Sequence, residues 1–300
     1  MKHGLFIFVF SFTIAMVSYA QKSDAKLERM LQKEIKDFQG DVGIFVQHFK
    51  KNKTVAIHAD TLFPTASVVK VPILVGVFDK IERGQLKLSD AHIYDADRIY
   101  GGSGLMQFYK DSSKTNLSTM VSLMLTYSDN VTSIWCQELA GGGTAINQLM
   151  DKLGLPNTKV NSRTAGRQEI WEKYGWGQTT PREIVQLMTM IREGKAITPR
   201  LSDKMYRYLK NQYYNGEALS QLPAHIATAS KTGALNQTRN EIVFVHAPSG
   251  DYAFAVLTKN NNDQSWTPDN EAEVLIRKIS NILWNYFEPR EQFKAYDPVL

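Results

Sequence analysis

The stretch Pro64-Thr65-Ala66-Ser67-Val68-Val69-Lys70-Val71-Pro72-Ile73-Leu74 decides how the rest of the chain is read. A proline and a small hydroxyl residue lead into an apolar run long enough for a helix, which the pattern carries to about Glu82 and ends at Gly84. Ser67 falls in the first turn, where unpaired backbone N–H groups and the positive end of the helix dipole collect. Lys70 follows three residues later, so its amine stands on the same face, one turn above the hydroxyl. A serine hydroxyl is a poor nucleophile until a base takes its proton. A desolvated lysine can serve, because burial favours the neutral amine. Alone, the pair carries little: S-x-x-K arises about once by chance in a chain of this length, and an N-capping serine beside a solvated lysine would explain it equally well.

Upstream, Ser23 to Phe38 places Leu27, Met30, Leu31, Ile35 and Phe38 at the helical period, with Gly40 closing it. Val42 to Phe49 and Val55 to Ala59 then read as strands around the turn Lys50-Lys51-Asn52-Lys53. Downstream, Leu88 to Asp111 is irregular and contains the loop Gly101-Gly102-Ser103-Gly104. Helices are expected after Thr115-Asn116, from Val131 to Leu139, from Thr144 to Leu153, from Pro181 to Arg192 and from Ser202 to Lys210. Asn157 to Gly177 has no clear period, and a loop that long inside a compact domain is usually functional. Strands return at Ile226 to Thr232, Ile242 to His246 and Tyr252 to Lys259. A last helix begins at Thr267-Pro268-Asp269.

This order predicts an α/β (α+β) fold. An antiparallel five-stranded sheet is flanked by the N- and C-terminal helices, and an all-helical lobe is inserted into it. The sheet domain would combine residues 21–63 and 211–300, and the helical domain would span 64–210.

The net charge of +5 comes without any Lys/Arg run interleaved with aromatics, which argues against a nucleic-acid partner. Residues 1–20 carry a short basic start, an apolar stretch from Leu5 to Val17, and Ser18-Tyr19-Ala20 at cleavage spacing. That is a signal peptide, too short and wrongly flanked to span a membrane. The mature chain is expected to begin near Gln21 and to act as a secreted or periplasmic monomer. Cys136 is the only cysteine, so no intrachain disulfide forms, and its apolar neighbours Ile134 and Trp135 mark a buried thiol. The six histidines show no paired spacing, so no metal or other cofactor is expected.

Two later tripeptides change the weight of the opening stretch. Ser67-Val68-Val69-Lys70, Ser128-Asp129-Asn130 and Lys231-Thr232-Gly233 occur in that order. Together they resemble the signature of the class A β-lactamases and penicillin-binding proteins. The likeness continues through the helix and Gly141-Gly142-Gly143 after the second motif, and through Thr238-Arg239-Asn240-Glu241-Ile242 after the third.

The resemblance implies that Ser67 attacks a lactam or peptide carbonyl while Lys70 takes its proton. Ser128 would pass a proton to the departing nitrogen, and Asn130 would bind a substrate amide. Lys231 would lower the proton affinity of Lys70 and attract a substrate carboxylate. The backbone N–H groups of Ser67 and Ala234 would form the oxyanion hole. Thr232 and Arg239 would hold the carboxylate, with Gly233 and Ser103 lining the substrate site. Strand 230–234 would offer an open edge to the substrate backbone.

The likeness breaks in the loop before Thr179-Thr180-Pro181. There the family carries a glutamate that activates the deacylating water, with an asparagine four residues on. An ungapped reading places Thr164 and Gln168 at those positions. Glu169 and Glu172 are the only acids in the loop, and Glu169 is the candidate for water activation. No aspartate is available for the family's loop-closing Arg–Asp pair, which leaves Trp171, Tyr174 and Trp176 to close it. The first expectation is therefore a class A-like serine β-lactamase with an unusual deacylation device. The alternatives are a D-Ala-D-Ala carboxypeptidase/transpeptidase-like enzyme with slow deacylation, and a non-catalytic sensor of β-lactams or muropeptides.

Overall fold

The computed structural model describes residues 22–294; the expected signal peptide lies outside them. The chain opens with β1 (Lys22–Ser23) and α1 (Ala25–Glu34), capped by the Asp24 carboxylate, which accepts from the Leu27 N–H at 3.3 Å. The basic turn then joins β2 (Asp41–His48) to β3 (Lys53–Ile57). β4 (Phe63–Pro64) leads to a 3-10 turn, Ala66–Val69, and then α2 (Lys70–Glu82). The continuous helix expected here therefore starts in the tighter form. Ala66 sits at φ +46°, left-handed for a residue with a Cβ, and the Val68 N–H reaches the Thr65 carbonyl at 3.0 Å.

β5 (Ala91–Ile93) and β6 (Lys114–Asn116) pair across the irregular segment as a small ribbon. α3 (Leu117–Thr126), α4 (Asn130–Leu139) and α5 (Gly142–Lys152) follow. Asn116 and Asp129 cap the first two, accepting from the Thr119 and Thr132 N–H groups at 2.9 and 2.8 Å. Next come β7 (Lys159–Val160), α6 (Gln168–Tyr174), β8 (Gly177–Thr179), α7 (Pro181–Arg192) and α8 (Pro199–Leu209). The sequence reading misses α6, because seven residues are too few to establish a helical period. β9 (Thr228–Leu235), β10 (Thr238–Val245), β11 (Tyr252–Lys259) and α9 (Glu271–Phe287) complete the chain.

The main sheet has the order β1-β3-β2-β11-β10-β9. Five strands run antiparallel as expected. The sixth, β1, adds two residues paired parallel to β3. β10 begins at Thr238 rather than Ile242, since Thr238 to Glu241 are polar yet wholly buried in the sheet. β11 alternates cleanly. Phe254 and Val256 face a layer of Leu27, Leu31, Leu275, Ile279 and Leu283 from α1 and α9. Ala253, Ala255 and Leu257 face Val75, Ile184, Leu187 and Met188 from α2 and α7. Each fully buried Leu, Ile or Val contributes about 1.5–3 kcal/mol, so both faces of the sheet are strongly held. β9 is the sheet's end strand, and α2, starting at the nucleophile's turn, packs inside the helical layer. No helix among the described residues is long and apolar enough to cross a membrane.

Candidate active site

Lys70 is fully buried, yet its nitrogen is surrounded by oxygen. Nζ lies 3.0 Å from Ser67 Oγ, 2.5 Å from the Ser128 carbonyl, 3.0 Å from Ser128 Oγ and 3.0 Å from Asn130 Oδ1. Burial, followed by the charge of Lys231, drives the Lys70 amine well below its ordinary lysine range. A neutral amine has two N–H bonds and one lone pair. The Ser128 carbonyl and Asn130 Oδ1 can only accept, so they use the N–H bonds and leave the lone pair for a hydroxyl proton. Ser67 Oγ and Ser128 Oγ, each 3.0 Å away, are the hydroxyls placed to give one, and of the two Ser67 lies in the first motif.

The second motif is held in place by its middle residue. Asp129 Oδ1 caps α4, while its Oδ2 accepts the N–H groups of Leu105 at 2.6 Å and Met106 at 2.7 Å. That fastens the 101–106 loop beside Asn130, whose Nδ2 donates to the Gly101 carbonyl at 3.1 Å. Capping therefore belongs to Asp129, and the Asn130 side chain is free for Lys70 and a ligand. Ser128 itself has φ +52°, a left-handed conformation that costs a non-glycine residue about 1–2 kcal/mol and turns its hydroxyl toward Lys70. Ser103 Oγ donates to the Tyr127 carbonyl at 3.0 Å and meets the Tyr214 hydroxyl at 3.1 Å.

The third motif approaches from β9. A Cβ on Gly233 would lie 2.6 Å from the Thr65 carbonyl oxygen and 2.9 Å from the Ser67 nitrogen. Only glycine lets the edge strand come this close to the nucleophile's turn. Lys231, also fully buried, donates to the Thr232 carbonyl at 2.8 Å, and burial pulls its amine down to about 7. Lys231 makes no hydrogen bond to Ser128, and it acts on Lys70 through its charge, as expected. Between these elements lies a cavity of about 780 Å³. It is lined by Ser67, Ser103, Ser128, Asn130, Thr232, Gly233 and Ala234, and by the aromatics Tyr100, Trp176, Tyr214 and Trp266.

Two expected site residues fall elsewhere. Arg239 is buried against α9 instead of facing ligand. It donates to Glu273 Oε1 at 3.0 Å and to the carbonyls of Leu235, Thr238 and Ser265, and it stacks 4.4 Å from the Trp266 ring. With four of its five N–H donors committed and its side chain off the cavity wall, it ties β10 to α9 rather than holding a carboxylate. Glu169 is exposed on α6 and absent from the cavity wall, so the loop's candidate base does not reach Ser67. Thr164, at the family's glutamate position in the ungapped reading, packs against Gly143, where a Cβ would meet its Oγ1 at 1.8 Å.

The loop closes by polar links rather than by an aromatic cluster. Arg167 Nε donates to Asn161 Oδ1 at 2.8 Å and its Nη2 to Gln178 Oε1 at 3.0 Å, and the Asn161 N–H reaches the Trp176 carbonyl at 2.7 Å. Trp176 lines the cavity against Tyr100, with ring centroids 5.1 Å apart, but Trp171 is exposed. Residues the sequence reading missed are Tyr214, Trp266, Glu217, Glu273 and Arg277, all on the cavity wall. None belongs to a short motif; each arrives from a loop or from α9. Cys136 is buried as expected, and burial raises its thiol far above the reactive range.

Known proteins place this arrangement. The model of the β-lactamase enzyme family matches residues 26–287. The chain is 23% identical to β-lactamase SME-1 of Serratia marcescens over 76% of its own length and 78% of that protein. It is 20% identical to β-lactamase VEB-1 of Pseudomonas aeruginosa over 95% and 98% of the two chains. Among solved structures, PBP-A superposes with a TM-score of 0.80 at 25% identity, covering 90% of this chain and 98% of PBP-A. A class A β-lactamase from Mycobacterium abscessus superposes with a TM-score of 0.77 at 22% identity, covering 87% and 99%. With residues of all three motifs gathered around one cavity and the family's model matched across nearly all the described residues, this chain belongs to the β-lactamase enzyme family.

Proposed function

We propose that this protein is a serine acyl-transfer enzyme that opens a β-lactam, or cleaves an acyl-D-Ala-D-Ala peptide, through an acyl-enzyme on Ser67, and that it deacylates slowly. Ser67 Oγ attacks the carbonyl carbon and its proton passes to Lys70 Nζ. The oxyanion is received by the N–H groups of Ser67 and Ala234, donors worth about 3–4 kcal/mol each in other enzymes. The C–N bond then breaks. Ser128 gives its hydroxyl proton to the departing nitrogen and recovers one from Lys70. Thr232 meets the substrate carboxylate, Lys231 attracts it by charge from behind the cavity wall, and the free edge of β9 pairs with the acyl-amide backbone.

The observation that carries this reading is the Lys70 nitrogen, its hold on a proton weakened by burial and by the charge of Lys231, 3.0 Å from Ser67 Oγ. Slow deacylation is supported by the loop. Among the described residues no loop carboxylate lines the cavity, and general-base help to water is typically worth about 10²–10⁴-fold. A point mutant of PBP-A has been solved as an acyl-enzyme complex with penicillin G. Efficient β-lactam hydrolysis is the second reading, favoured by the many relatives named β-lactamase. The basic and apolar start of the sequence supports action outside the cytoplasm.

A chromogenic cephalosporin assay run beside intact-protein mass spectrometry tests the proposal. The expected result is a burst of about one equivalent and a lasting adduct on Ser67. Continuous turnover without an adduct would overturn slow deacylation in favour of the lactamase. Neither burst nor adduct, with β-lactam or peptide, would overturn acylation itself.

A further inference from the structure

Behind Thr232 stand two glutamates that the acylation chemistry does not use. Glu241, on β10, has its Cα opposite that of Thr232 and is wholly buried. Its Oε2 accepts the Ala218 N–H at 2.8 Å, whereas its Oε1 is buried with no well-formed hydrogen bond, its one neighbouring donor being the equally unpaired Ser230 hydroxyl. Glu217, the residue before Ala218, lines the cavity, and its Oε2 is likewise buried without a partner. The other groups around them are Lys231, Ser230 and Thr232 on β9, Arg239 on β10, and Glu273 and Arg277 on α9. Arg239 and Glu273 satisfy each other across 3.0 Å. Arg277 donates to the Pro268 carbonyl at 2.6 Å and makes no ion pair among the described residues.

Two ionised carboxylates only accept, so neither could satisfy the other's orphaned oxygen, and their like charges would repel where burial limits screening. A single proton resolves both problems, because a carboxyl O–H on one can donate to the free oxygen of the other. We infer that Glu217 and Glu241 share one proton as a carboxyl–carboxylate pair, and that its single negative charge keeps the buried Lys231 ammonium charged. Burial pushes both acids upward, Glu241 to about 7, and each glutamate in turn raises Lys231 against the cost of its own burial. The two residues position charge and do not touch the reacting atoms. The consequence for Lys231 rests on the acylation reading above; the shared proton does not.

Glu217→Gln, Glu241→Gln and the double variant test this, since the amide keeps the shape and replaces the carboxyl O–H with an N–H donor. Each single variant retains one negative charge. The alkaline limb of acylation by a carboxylate-bearing cephalosporin, where Lys231 loses its proton, is therefore expected to stay in place. The double variant removes the charge, and the limb is expected to move to lower pH by about one unit or more. A single variant that moves the limb at least half as far as the double one, or a double variant that leaves it unmoved, would overturn the proposal.

Difference infrared spectroscopy of the wild type and the single variants supplies a measurement independent of activity and of the double variant's folding. A protonated-carboxyl C=O band is expected at neutral pH and is expected to vanish in each single variant. Its absence from the wild type would overturn the shared proton even if no substrate acylates Ser67.

Discussion

The nucleophile's corner and the loop from Asn161 to Gln178 both come from the chain's helical middle, and both border the same cavity, yet they are built to different standards. At the corner, one buried nitrogen has four oxygen neighbours within 3.0 Å. Two of them come from Ser128, whose backbone is held in a left-handed conformation. In the loop, the polar effort goes into closing the ends through Arg167, and the acids Glu169 and Glu172 face solvent. Desolvation is what turns a lysine into a base, so the corner had to be buried and saturated with acceptors. An exposed carboxylate is neither activated nor aimed. On the proposed reading, the contrast separates acylation from deacylation on one scaffold: the groups for the first converge at the corner, while the loop's acids do not line the cavity.

The comparison can be broken most directly at the corner. Ser67→Ala is expected to abolish covalent labelling by a fluorescent penicillin; labelling that persists elsewhere would remove the corner from the chemistry. Lys70→Ala comes next, slowing acylation by about 10²–10⁴-fold in stopped-flow measurements, the usual worth of a positioned base. In the wild type the same rate is expected to rise with pH as the Lys70 amine loses its proton below the ordinary lysine range, a limb the variant lacks. Gly233→Ala tests the approach of β9 to the corner. Its Cβ would overlap the Thr65 carbonyl, so a destabilisation of about 1–3 kcal/mol in a denaturant melt and a marked loss of acylation are expected together. The smallest effect belongs to the loop. Glu169→Gln is expected to leave the lifetime of the acyl-enzyme unchanged, as followed by mass spectrometry. A much longer lifetime would show that the loop reaches the site after all.

Arg239 and Glu241 show where the reading of the sequence stops. Both lie in the tract that follows Lys231-Thr232-Gly233, and the resemblance assigned Arg239 to the substrate carboxylate. Strand register places Arg239 opposite Ala234 and Glu241 opposite Thr232. What decides the role of Arg239 is Glu273 and the Ser265 carbonyl, 34 and 26 residues away, which α9 and the turn before it bring onto the strand. Glu217 and Glu241 are 24 residues apart, and although Glu241 lies in the tract that resembles the family, no local pattern ties it to Glu217. The missed helix Gln168–Tyr174 has a simpler cause, since two turns expose no repeating apolar face.

The sequence by itself determined the order of the main helices and strands and the triple motif of Ser67, Lys70, Ser128, Asn130, Lys231 and Thr232. Those are matters of residue type at short spacing, where periodicity and local chemistry act within a few turns of chain. Only the tertiary structure decided which charges meet: that Lys70 is stripped of water among four oxygens, that Arg239 is locked to α9, that Glu169 faces outward, and that two glutamates converge behind Lys231. Electrostatics in a dry interior depends on distances between segments remote in the chain, and no local pattern encodes those distances.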